Sequence, residues 1–387
     1  MVGLAGDRGG RAPALRVTAA RPRLRGDLTK FVGTVCSDIG MRPHRSPLAP
    51  SLALVATLVA ACGTPASTTR PATGAPSAAA SATAPSAVAT PAASAAYAPI
   101  ARSSASMTWD PTSQTILMYG GDSNAGPSNA MDAWDGTAWK KVTALGPRAR
   151  DDGLFVADPD RGVVILSGGR SGQTVLTDTW EWDGTAWKDV TAHGPSPRAH
   201  AAAAYDPTSK RMILYGGVDD AGTRYDTWAW DGTAWTELDT KGIPGRVANY
   251  MAWDATLEQL LVLAVNLDAE TSNHLYPSEL WGWTGTRWKL VADGGPSFSP
   301  LQRFVEGPKH PYLIDGGGLQ NHFSMYEWTG GADWTVLAGA APSARNGQAA
   351  AWDPVRKQLV MFGGFLGNTV FGDTWIFESG AWREVAG

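Results

Sequence analysis

Short apolar runs ending in small residues recur along the chain. ILMYGG ends at Gly121, VILSGG at Gly169, MILYGG at Gly217, YLIDGG at Gly317 and LVMFGG at Gly364, while a further run, LLVLAV, ends at Val265 with both glycines lost. In chain order the intervals are 48, 48, 48, 52 and 47 residues. A second landmark keeps the same beat: the last Trp of AWDGTAW, WEWDGTAW, WAWDGTAW, WGWTGTRW, YEWTGGADW and WIFESGAW falls at Trp139, Trp187, Trp235, Trp288, Trp334 and Trp382. The third copy shows the internal pattern. AHAAAAYD leads to a DPTSK turn, then RMILYGG, a loop, DTWAW, a DGTA turn and WTEL. Pro presets φ and Gly accepts positive φ, so both turns have a mechanism. Alternation in DTWAW places Trp228 and Trp230 on one strand face.

Four short antiparallel strands per repeat, six times over, predict an all-β fold, a six-bladed β-propeller over residues 101–387. An apolar run, a double glycine and two spaced aromatics resemble the kelch repeat, as in the propeller of galactose oxidase-like proteins. The first strand begins near Ser103 and the last ends after WREV, so blades and repeats are expected to coincide without strand exchange.

The N-terminal part reads differently. Residues 62–100 are almost only Ala, Pro, Ser, Thr and Gly, a composition too poor in large apolar side chains to fold, and predict a disordered tether. In residues 41–61, Arg42 and Arg45 precede an apolar run of fourteen, Leu48–Ala61, which is short for a membrane span and has the layout of a signal peptide. It ends in Val59-Ala60-Ala61-Cys62, which resembles a bacterial lipobox. That resemblance implies lipidation of Cys62 and a propeller anchored to the membrane outside the cytoplasm. Residues 1–40 then precede Met41 as a misplaced start or a discarded, disordered segment.

Charge narrows the partners. Residues 101–387 carry 22 Lys and Arg against 33 Asp and Glu, and an acidic domain repels phosphate backbones, so nucleic acid is not expected. The two cysteines, Cys36 and Cys62, both precede the tether, leaving the propeller without disulfide or thiol chemistry. A monomer is expected.

Antiparallel order puts the start of strand one, the end of strand two and the start of strand three at one end of each blade. There Arg102, Arg150, Arg198 and Arg246 recur at intervals of 48 residues, Arg345 holds the same place, and Arg303 approximates it in the shortened fifth copy. Two readings follow. Asp178, Asp226, Glu279 and Asp373 begin strand three at the same end and offer scaffold partners, whereas Ala130 and Ser324 leave the first and fifth copies short of an acid unless a loop residue such as Asp122 serves. An unpaired surplus ringing the channel mouth would instead bind carboxylate or sulfate groups. The long loop 266–278 adds His274 and Tyr276 as ligand candidates.

Enzyme chemistry has weaker support. The galactose oxidase resemblance implies a copper site needing a Tyr–Cys cross-link, and the absence of cysteine after Cys62 excludes it. The histidines show no ligand spacing, so no metal and no cofactor are expected. WDGTAW lacks the Ser and the spacing of a sialidase box. The sequence favours a non-catalytic module binding a glycan or protein segment. Two alternatives remain: a kelch-type sugar epimerase with Glu279 or His274 as acid or base, and an envelope scaffold exposing the Trp-rich hairpins.

Overall fold

Each apolar run becomes the second strand of a four-stranded antiparallel sheet. In the third copy the strands are Ala202–Asp206, Arg211–Asp219, Gly222–Trp230 and Trp235–Asp239, hydrogen-bonded in that order. The inner strands of the other copies are Ser106–Asp110, Leu154–Asp158, Met251–Asp254, Arg303–Val305 and Ala349–Asp353. The fourth sheet adds Arg246–Val247 against the end of its second strand. Successive inner strands are neighbours around a ring, and the sixth lies against the first, so the fold is an all-β, six-bladed propeller with no helix among the described residues.

The computed structural model describes residues 97–385 other than 240, 241, 244, 249, 267–277, 297–301, 318–321, 332 and 338–340. The expected leader, signal peptide, Cys62 and all but the last residues of the tether lie outside the described residues, as do His274 and Tyr276.

Blade stacking explains why the middles of the second strands are apolar on both faces. Ile116 and Met118 pack with Val360 and Phe362 of the sixth blade, while Leu117 and Tyr119 pack with Val164 and Leu166 of the second. Alternate side chains leave opposite faces of a strand, and here both faces meet a neighbouring blade. Six such apolar clusters fill the six interfaces. No blade owns a core by itself.

The ring closes without strand exchange. All four strands of the first blade are contiguous in sequence, as are those of the sixth, Ala349–Asp353, Gln358–Phe362, Thr374–Glu378 and Ala381–Val385. The seam is made by the shared apolar cluster, by the Gly364 N–H on the Arg102 carbonyl at 3.0 Å, and by the Trp139 indole N–H on Thr374 Oγ1 at 2.8 Å.

The WDGTAW line is a turn followed by a wedge. Asp231 Oδ1 accepts the N–H groups of Thr233 and Ala234 at 2.8 and 2.9 Å, closing the turn. Trp235 then folds back on Trp230, with ring centroids 5.4 Å apart. Trp139, Trp235, Trp288 and Trp382 are buried, and Trp187 and Trp334 are half-buried. The exposed tryptophans that an envelope scaffold calls for are therefore not on these hairpins.

Candidate functional site

Five of the six arginines are clamps. Arg198 Nη1 and Nη2 fork onto the two carboxylate oxygens of Asp226 at 2.7 and 3.0 Å, Nη1 also donates to the Gly216 carbonyl at 2.7 Å, and Nε donates to the Ser196 carbonyl at 3.1 Å. Arg150 on Asp178 and Arg345 on Asp373 repeat this arrangement, and Arg246 forks onto Glu279 through Nε and Nη2 at 2.9 and 2.8 Å. Each of these four carboxylates also accepts an indole N–H from the Trp two residues on: Trp180, Trp228, Trp281 and Trp375. Burial alone would raise these acids, but the hydrogen bonds from arginine and tryptophan outweigh it and hold Asp178, Asp226, Glu279 and Asp373 below the ordinary range. The recurring Asp-x-Trp is thus the socket for the arginine.

The first blade fills its socket differently from the sequence expectation. Arg102 pairs with Asp132, not with a loop acid, and Asp132 also takes the Tyr97 hydroxyl. Asp132 stands two residues beyond Ala130, and two steps along a strand restore the same face. The supposed shortage in that copy does not exist.

The arginine backbone joins the blades. Its carbonyl accepts the N–H of the second glycine in the preceding blade: Gly121 on Arg150 at 2.8 Å, Gly169 on Arg198 at 3.0 Å and Gly364 on Arg102 at 3.0 Å. The arginine and the double glycine are two halves of one joint.

The inner strands enclose a central cavity of about 400 Å³. Its arginine-side mouth is built at the residue two places after each arginine. Ser104, Asp152, His200 and Gly347 all adopt left-handed backbone there, with φ of 52°, 48°, 55° and 61°. The reason is a collar of hydrogen bonds, in which Ser104 N–H reaches the Gly347 carbonyl at 2.7 Å and Asp152 N–H reaches the Ser104 carbonyl at 3.1 Å. Left-handed backbone is costly for residues with a Cβ, so the collar must hold it. It presents Ser104, Asp152 and His200 to the cavity, with His200 Nδ1 3.6 Å from Asp152 Oδ2. At the opposite end Trp109, Tyr205, Trp253 and Trp352 line the cavity from equivalent positions, each directly before its turn aspartate. Glu306 joins them; it is solvent-accessible through the lumen yet hemmed in by protein, and burial raises its carboxyl against an opposing hydrogen bond from the Trp253 backbone.

Arg303, expected to approximate the same place, instead lies within the inner strand of the fifth blade opposite Ile314, and it is the one of the six that lines this cavity. It is 6% exposed, its guanidinium lies 4.5 Å from the Tyr250 ring centroid, and among the described residues it has neither an ion pair nor a hydrogen bond. Burial pulls it down to about 10, with Asp152 opposing at longer range. Asp152, His200 and Tyr250 were not singled out by sequence reasoning. A signal existed: in the column two places after the arginine, where other copies carry Ser104, Ala248 and Gly347, Asp152 and His200 are the ionisable exceptions.

Fold and cavity together define a β-propeller with an axial cavity. The chain matches no protein-family model and no curated protein.

Proposed function

We propose that the chain is a non-catalytic binding module of the kelch type, anchored outside the cytoplasm by lipid on Cys62, that holds a saccharide ligand in its central cavity. The observation that carries the reading is the cavity itself: a collar of polar side chains at one end and four aromatic rings at the other. Sugar rings present apolar C–H faces that stack on aromatic side chains, and hydroxyls that need hydrogen-bonding groups beside them. A cavity of about 400 Å³ falls within the range of small-ligand sites. The five clamped arginines each hold a carboxylate of the scaffold, so ligand recognition falls to the collar, to Arg303 and to the aromatic end.

Thermal unfolding of the purified chain against neutral and acidic mono- and disaccharides tests this. A ligand at about 100 times its Kd stabilises by about 2.7 kcal/mol. Binding that raises the melting temperature in the parent, and is lost in Trp352→Ala with the fold intact, is the expected result. No shift with any saccharide sinks the saccharide reading. Detergent-phase partition that disappears in Cys62→Ser is expected for the anchor.

A catalytic reading has one observation in its favour, the carboxyl of Glu306 in the lining of the cavity. Glu279, the acid named for an epimerase, is engaged by Arg246 and held ionised, so it is no proton donor. Conversion of a bound sugar by the parent but not by Glu306→Gln, followed by NMR, would favour an enzyme.

A further inference from the structure

We propose that Arg303 forms an anion subsite for a monocarboxylate in the wall of the central cavity, so that the preferred ligand carries one carboxylate group. This rests on the reading that the cavity takes a ligand, and it names the chemical group that decides which ligand.

The argument is a comparison within one molecule. Arg102, Arg150, Arg198, Arg246 and Arg345 each meet a carboxylate from the third strand of their own blade. Arg303 stands elsewhere: it pairs with Ile314 within the inner strand of the fifth blade, where the sixth blade has Ala350 against Met361, and among the described residues its guanidinium meets no carboxylate. Arg303 is largely enclosed by protein, and with no protein partner its N–H groups are left to the lumen. What holds it there is the Tyr250 ring, which orients the plane without occupying the N–H groups. Those groups border the lumen, where a ligand can reach them.

The surroundings select the anion. A forked, planar donor matches a carboxylate in two parallel hydrogen bonds. Asp152 lies close enough to act on Arg303 and is itself only loosely engaged by His200 at 3.6 Å. One cation facing one nearby carboxylate tolerates a single added negative charge far better than a dianion such as phosphate. The propeller as a whole has an excess of acidic residues, which repels polyanions further. Ser104 and His200 line the same cavity and can meet hydroxyls of the ligand.

Calorimetric titration of the full chain with matched probes tests the proposal: benzoate against benzamide, glucuronate against its methyl ester and glucose, and inorganic phosphate. The acids should bind at least tenfold more tightly than their neutral partners, phosphate should bind no better than glucose, and Arg303→Met should abolish the acid preference. Equal affinity for acid and ester, or an acid preference that survives in Arg303→Met, overturns the subsite while the cavity reading stands. Benzoate binding that depends on Arg303, with no saccharide bound, supports the subsite and removes the saccharide reading. No binding of any acid overturns the subsite. Should Arg303→Met fail to fold, Arg303→Lys decides: it keeps the charge but loses the fork, so carboxylate affinity weakened about tenfold supports the proposal and unchanged affinity overturns it.

Discussion

The indole N–H of Trp288 donates to Thr227 Oγ1 at 2.9 Å, from one blade into the blade before it. Thr227 is completely buried. The same bond recurs from Trp139 to Thr374 across the closing seam and, more loosely at 3.4 Å, from Trp235 to Thr179. The Thr of DTW and the last Trp of DGTAW are therefore two sides of an interblade joint. Trp288→Phe should cost about 2 kcal/mol, because it strands a buried hydroxyl. Trp187→Phe should cost less than half as much, since the preceding blade offers Met131 where the second, third and sixth blades offer Thr. Urea-unfolding midpoints of the two variants check the difference.

The clamps predict a signature of buried ion pairs. Arg198→Ala leaves Asp226 with its indole N–H partner but without its cation, and should lose about 3 kcal/mol. The double variant Arg198→Met with Asp226→Leu should lose less than Arg198→Ala alone, because it removes the stranded charge. Equal losses would mean the pair is not desolvated enough to matter.

Acid should weaken the propeller through these sockets. Asp178, Asp226, Asp373 and Glu279 titrate lower when folded than when unfolded, so their contribution is full above about pH 4, near the unfolded values, and is lost as pH falls through the folded ones. The melting temperature should be level from about pH 5 to 7 as far as these groups go, then fall below about pH 4. Asp226→Asn should flatten part of that fall while lowering stability at neutral pH.

Asp151 has the opposite sign. Burial first, then Asp152 and Asp122, push its carboxyl up to about 8, and its Oδ1 is buried with no hydrogen-bond partner among the described residues. A carboxyl raised on folding contributes fully below its unfolded value, about 3.9, and that contribution is lost as pH rises through its folded value. Asp151→Asn should therefore melt higher than the parent at pH 8 and close to it at pH 4. A difference of equal size at both values would rule out this account.

Gly363 shows why the double glycine matters at the seam. Its φ is +66° and an added Cβ would lie 2.3 Å from the Arg102 carbonyl oxygen of the first blade. Gly184, in a WDGTAW turn, has φ of +94° with open space around it. Gly184→Ala should cost about 1–2 kcal/mol for left-handed backbone alone, and Gly363→Ala clearly more, because it also pries the sixth blade from the first. Thermal melts of the two variants make the comparison.

The repeat, its four strands and its turns were legible in the sequence because they rest on short-range physics. Alternation, a double glycine and an Asp that closes its own turn are each set within a few residues. The arginine register was legible too, since it recurs with the period. Its use was not. Each clamp joins residues about 28 positions apart on non-adjacent strands, so the chain order could not tell that Asp132 replaces Ala130. Nor could it tell that Arg303 alone of the six faces the lumen. The cavity takes one stretch from every blade, and Asp152, His200, Tyr250 and Arg303 become neighbours only when the ring closes. The sequence by itself determined what each blade is, and the closed ring decided which side chains are left to meet a ligand, because the cavity wall is assembled from one strand of every blade.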